Sequence, residues 1–123
     1  MTRQAAIGWL SKPEEHDYPA ALSYLSLTFE ARVAANYVKQ LARAPVSQFK
    51  AKDIFRASGL PLLGISNSHI EKDRKKIKAQ TALSPLLLVR DENSRMVVIA
   101  DGYHRLCALY GYDEDAWVRC KIV

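Results

Sequence analysis

Leu86-Leu87-Leu88-Val89-Arg90-Asp91-Glu92-Asn93-Ser94-Arg95-Met96-Val97-Val98-Ile99-Ala100-Asp101-Gly102-Tyr103-His104-Arg105 is the stretch on which the fold turns. Pro85 introduces a short apolar run, Leu86 to Val89, of the length and composition of a buried strand. Asp91, Glu92, Asn93 and Ser94 form a polar turn, and Met96 to Ala100 is a second buried strand, so the pair reads as a hairpin. Asp101-Gly102 breaks the second strand. Residues 103–110 then have helical character, with Leu106, Leu109 and Tyr110 able to face a core and Gly111 as the expected terminator. Residues 118–123 return the chain as a third strand. The expected fold class is α/β (α+β), a small mixed sheet with packed helices.

A buried strand that runs into glycine and then a helix makes an anion site. The first helical amides have no intrahelical partner, and the helix dipole favours negative charge beside them. Gly102 allows close backbone approach. Arg105 offers a planar fork for two phosphate oxygens. His104 can donate to a phosphate or move a proton near neutral pH. Asp101 can hold a metal ion, orient His104, or accept a proton from a substrate hydroxyl. Each has a plainer reading: Asp101 as a helix cap, His104 as a satisfied half-buried histidine, Arg105 paired with Asp113 or Glu114. Tyr103 serves either base stacking or core packing. The three residue types together at one helix start favour the functional reading.

Upstream, Ser11-Lys12-Pro13-Glu14 has the spacing of a capping box with proline in the first turn. Tyr18-Pro19 restarts the chain, and residues 20–27 form a short helix. In residues 29–43, Phe29, Val33, Tyr37 and Leu41 recur every fourth position and Val38 widens the stripe, so a longer helix is expected, ended by Pro45. Residues 46–55 alternate in a way that predicts a strand. Residues 59–68 hold Gly59, Pro61, Gly64, Asn67 and Ser68 and read as loop. Asn67 or Ser68 caps a helix over residues 70–78, with Glu71 and Asp73 near its positive end. The domains expected are an N-terminal helical extension over residues 1–45 and a sheet-bearing domain over residues 46–123.

The chain has 123 residues, enough for one core. No apolar run approaches the ~20 residues of a membrane span, and the N-terminus lacks the features of a secretory signal. A cytoplasmic protein is expected, with no membrane partner. Cys107 and Cys120 sit in apolar settings without a CxxC pair or Cys/His cluster, so buried thiols are expected rather than zinc or a disulfide. The net charge of +5 favours anionic partners. Lys72, Arg74, Lys75, Lys76 and Lys78 concentrate it, although a charge run is usually a solvated helix face.

The order strand, Asp101-Gly102-Tyr103-His104-Arg105, apolar helix, final strand resembles the ParB/sulfiredoxin superfamily, whose members carry Gly-Gly-Cys-His-Arg or Gly-Glu-Arg-Arg at this turn. Residues 84–123 follow the pattern throughout and residues 47–78 more loosely, while residues 1–45 have no counterpart. The chain looks most like small bacterial ParB-like, chromosome-partitioning-like proteins with a similar Ile-Ala-Asp-Gly-Tyr-His-Arg stretch. The resemblance implies a nucleotide site, taking ATP or CTP with Mg²⁺, in which Gly102, Tyr103, His104 and Arg105 contact phosphates. Lys72 and Lys76 would border the pocket, with Asn67 and His69 just before them. Tyr103 stands where sulfiredoxins have their reactive cysteine, so sulfinic acid reduction is not expected. A full partition protein also needs a helix-turn-helix domain and a dimerisation domain after the nucleotide domain, so a complete partition protein is not expected.

Three functions follow as expectations. The first is nucleotide binding with phosphoryl transfer or hydrolysis, Asp101 or His104 acting as base and Arg105 and Lys76 neutralising charge; Asp73 and Glu71 are further carboxylate candidates for a kinase-like reaction. The second is a DNA-binding or partition-accessory protein, with Lys72 to Lys78, Arg56 and Lys52 as footprint and residues 53–59 and 66–78 mimicking a helix-turn-helix. The third is a protein-interaction module, or a homodimer, using residues 29–43.

Overall fold

The computed structural model describes residues 6–63 and 67–123. Five helices and four strands follow one another among them: α1 (Asp17–Leu25), α2 (Ala31–Arg43), β1 (Ser47–Lys50), α3 (Ala51–Ser58), α4 (Ser68–Lys78), β2 (Leu86–Asp91), β3 (Met96–Asp101), α5 (Tyr103–Tyr112) and β4 (Trp117–Ile122). The fold is of the mixed α/β class. The strands form one sheet in the order β1-β4-β2-β3. β1 and β4 are antiparallel, β4 and β2 parallel, and β2 and β3 antiparallel.

The expected hairpin is present. Leu88 faces Ile99 and Val89 faces Val98, and the register shifts between Leu87 and Leu88 so that Leu87 meets Asp101. Because side chains alternate across a strand, β2 sends its leucines to both faces. Leu86 and Leu88 join Ile54, Ile70, Ile77, Leu106, Leu109 and Val118 in a core beneath α3, α4 and α5. Leu87 and Val89 join Ala21, Leu25, Ala34, Leu41 and Ala100 in a second core, beneath α1 and α2. Helices on both sheet faces explain why β2 reads as an unbroken apolar run.

The N-terminal helices are tied down by two buried polar groups. Asp17 is 3 % exposed. It accepts hydrogen bonds from the Ser84 hydroxyl, just before β2, and from the Glu14 amide. Lys121 on β4 is 7 % exposed, and its ammonium donates to the Tyr18 hydroxyl and to the Ala42 carbonyl, each at 3.1 Å. The second of these places a cation at the negative end of α2.

Several local expectations give way. Residues 46–55 are not one strand: β1 ends at Lys50 and α3 begins at Ala51. Ala51, Ile54, Phe55 and Ser58 are the buried positions, spaced i, i+3, i+4, i+7, so helical burial overrides the apparent alternation. The capping-box residues at 11–14 start no helix. α1 starts at Asp17, before the proline rather than after it; Pro19 stands in the first turn, where a missing N–H breaks no intrahelical bond. In α2 the buried residues are Ala34 and Leu41, while Val33 stays 36 % exposed. Phe29, Tyr37 and Val38 pack against the same core as Leu41, as expected, so only Val33 leaves the stripe and Ala34 takes its place. Gly111 does not end α5, which continues to Tyr112 and stops at Asp113 in extended geometry. The expected loop before α4 is present at 59–63, with Gly59 at a φ of 66° capping α3; Gly64 and Ser66, also assigned to it, lie outside the described residues.

Candidate functional site

Two helix starts lie side by side, because α4 packs against α5. Asn67 caps α4, its side-chain oxygen accepting the His69 amide at 3.0 Å. Gly102 caps α5 in a left-handed conformation, φ 103°. A Cβ there would lie 2.7 Å from Leu86 Cγ and 2.8 Å from a terminal nitrogen of Arg105, so glycine is required by both backbone and space.

From α4, His69, Lys72, Asp73 and Lys76 project to one side, at the spacing of a single helix face. From the β3–α5 junction come Asp101, Gly102, Tyr103, His104 and Arg105. Together these nine residues line a cavity of about 200 Å³. The His69 and His104 rings lie 4.9 Å apart, tilted by 33°, and link the two helices across it. Lys72, Lys76, His69, Asp101, Gly102, Tyr103, His104 and Arg105, all named from the sequence, therefore lie together in one wall. Asn67 is not in the wall; its side chain is used as the cap.

Arg105 pairs with Asp101 at 3.0 Å, both side chains being 18 % exposed. Neither Asp113 nor Glu114 is its partner, and Asp101 is not the helix cap. The aspartate four residues before the arginine was the sequence signal for this pair. Arg105 Nε is buried without a hydrogen-bond partner. Tyr103 donates its hydroxyl to the Pro61 carbonyl, and its ring packs against the core under α3–α5, so it anchors the loop after α3 to the start of α5.

Both carboxylates in the wall are shifted toward the protonated form. Burial raises Asp73, and the charges of Arg105, Lys76, His104 and Lys72 oppose that rise. Burial also raises Asp101, opposed by the charge and hydrogen bond of Arg105 and assisted by the nearby Asp17. Asp73 has no hydrogen-bond or ion-pair partner among the described residues. The site thus sets three basic side chains, Lys72, Lys76 and Arg105, around one engaged and one unengaged carboxylate, with two histidines at hand.

The other expected features fall elsewhere. Cys107 and Cys120 are free and buried. Lys52, assigned to a DNA footprint, is paired with Asp115 at 2.6 Å. Glu14, His16 and Asp17 converge before α1, the His16 ring nitrogen lying 2.9 Å from Glu14 and 3.4 Å from Asp17. No helix among the described residues is long and apolar enough to cross a membrane. Compared with models of known families, with curated proteins and with solved structures, the chain matches none.

Proposed function

We propose that the cavity between α4 and α5 binds the phosphates of a nucleotide. The observation that carries this reading is the convergence of Lys72, Lys76 and Arg105 with the start of α5 on one cavity. An anion there would meet outward-facing amides, the positive end of a helix dipole and three side-chain cations. Asp101 holds Arg105 through one terminal nitrogen, so the guanidinium is oriented before a ligand arrives. The resemblance of the Asp101–Arg105 turn to ParB and sulfiredoxin proteins favours ATP or CTP over a simple anion.

Mg²⁺ carried on the phosphates fits the donor set, because Asp73 is a carboxylate with no other partner in the wall. Such an ion would supply charge neutralisation beside the lysines. If phosphoryl transfer occurs, His104 is better placed than Asp101 to take a proton, since Asp101 is committed to Arg105. The Gly102 backbone and Arg105 would hold the phosphate, and Lys72 and Lys76 would offset its charge.

Thermal unfolding with ATP, CTP, GTP and ADP, with and without Mg²⁺, tests the proposal. A nucleotide at a hundred times its dissociation constant stabilises the native state by about 2.7 kcal/mol. The expected result is such a shift for at least one nucleotide, abolished in Arg105→Ala and weakened in Lys72→Ala/Lys76→Ala. The double variant keeps the Asp101 pair intact and guards against misfolding of the first. No shift with any nucleotide, and no heat in calorimetry, would overturn it.

A further inference from the structure

A second surface is built differently. Trp117, Arg119 and Lys121 share one parity along β4, and Val118 and Cys120 the other, which enters the core under α3–α5. α1 and α2 cover the first parity at Lys121, whose ammonium reaches Tyr18 and Ala42. They do not cover it at Trp117, which is 54 % exposed, nor at Arg119, which is also exposed. Across the antiparallel pair, Lys50 stands opposite Trp117 and Gln48 opposite Arg119, so these four side chains form one bare patch of sheet.

The chemistry of the patch is that of a stacking platform flanked by cations. Lys50 Nζ lies 5.5 Å from the centroid of the Trp117 ring, within cation–π range. Arg119 is two residues along the strand, about 7 Å away, and has no ion-pair or hydrogen-bond partner from its side chain among the described residues. Beside it runs a groove of about 330 Å³ lined by Ser11, Val46, Ser47, Gln48 and Arg119. The carboxylate at the patch margin, Asp115, is engaged by Lys52 at 2.6 Å and approached by Lys50 at 3.8 Å. An exposed indole among cations and a primary amide complements a partner with both aromatic faces and negative charge.

We infer that this face of β1 and β4 binds single-stranded nucleic acid, with an unpaired base stacked on Trp117 and backbone phosphates met by Arg119 and Lys50. Stacking on a flat sheet needs a base released from its pair, which sets a single strand apart from a duplex. Gln48 lines the continuation of the track, beside Ser11 and Val46. The surface uses no residue of the nucleotide cavity.

Fluorescence anisotropy of a labelled fifteen-nucleotide oligothymidylate or oligouridylate, titrated with the full chain at low salt, tests this. Binding is expected, accompanied by quenching of tryptophan fluorescence and weakening with added salt. The two oligonucleotides separate DNA from RNA as the source of the strand. Trp117→Ala, at an exposed position, should weaken binding about tenfold to a hundredfold, Arg119→Glu should weaken it further, and an equally long duplex should bind less tightly than the single strand. Lys72→Ala/Lys76→Ala should leave the affinity unchanged. Failure of both oligonucleotides to bind, equal affinity of wild type and Trp117→Ala, a duplex preference, or loss of binding in the lysine double variant would overturn the inference. The first three of these outcomes leave mononucleotide binding to the cavity untouched, and the last would move the strand onto the cavity itself.

Discussion

Replacing Gly102 by alanine probes the junction on which the cavity depends. Two separate penalties are expected. Holding an L-residue at a φ of 103° costs about 1–2 kcal/mol. The new Cβ would also lie 2.7 Å from Leu86 Cγ, and Leu86 is fully buried with no room to retreat; such overpacking costs about 1–3 kcal/mol. Together Gly102→Ala should lose about 2–5 kcal/mol, a large share of the ~5–15 kcal/mol that holds a typical domain. Urea unfolding followed by circular dichroism measures it. In a Leu86→Ala background the share owed to Leu86 should disappear, leaving about 1–2 kcal/mol of backbone strain and the smaller cost of moving the Arg105 nitrogen that lies 2.8 Å from the new Cβ. Gly59→Ala is a control: its φ is 66°, and the neighbouring atom is the mobile end of the exposed Met96 side chain, so about 1 kcal/mol is expected. A loss below about 1 kcal/mol for Gly102→Ala, or the same loss with and without Leu86, would refute this account of the glycine.

Other outcomes follow from groups described above. Lys121→Met keeps the buried stem but leaves the Ala42 carbonyl and the Tyr18 hydroxyl unmatched, and should destabilise by about 1–3 kcal/mol in the same assay; an unchanged midpoint would dismiss the buried lysine as a structural tie. Asp73 has its folded pKa raised by burial, so its contribution is fully present below the ordinary carboxylate range and is lost as pH rises through the folded value. Asp73→Asn should therefore match wild type near pH 3.5 and exceed its melting temperature at pH 7; a less stable variant at neutral pH would contradict the sign. Cys107 is 2 % exposed, and burial pushes the Cys120 thiol up to about 11. Neither should react with a thiol reagent at pH 8 until urea unfolds the chain, and prompt labelling of the folded protein would count against their burial.

Where local pattern and tertiary burial agree, the sequence was readable. The leucine run at Leu86–Val89, the polar turn, and the strand ending in Asp101-Gly102 have a single reading. The cap before α4 was narrowed to Asn67 or Ser68, of which Asn67 takes it, while the approach of α4 to the Asp101–Arg105 turn came only with the resemblance. Residues 46–55 failed because Phe49, Ala51 and Phe55 fall on one parity and fit a short strand, while Ala51, Ile54, Phe55 and Ser58 fit two turns of helix. Only packing against the sheet and α5 chooses between them. Val33 misled for a similar reason: a four-residue repeat drifts around a helix of 3.6 residues per turn, and the position it marks need not be the one that is buried. The Asp101–Arg105 pair was present as a spacing, but its priority over Asp113 depends on where α5 ends. Trp117 and Arg119 gave no sequence signal as a patch, because their exposure follows from which strands α1 and α2 leave bare.

The strand order β1-β4-β2-β3 has a consequence for how the chain must be made. β4 is the last of the four strands to be synthesised, yet it alone joins β1 to β2. Until residue 122 exists, β1 has no partner and β2 is paired on one edge only. Ser47 meets Cys120 across more than half the chain, a separation that favours slow closure. During that interval Leu86, Leu87, Leu88 and Val89 present an apolar strand with an open edge, the kind of segment that seeks another chain. The growing polypeptide should therefore be most prone to aggregation just before its final strand is complete.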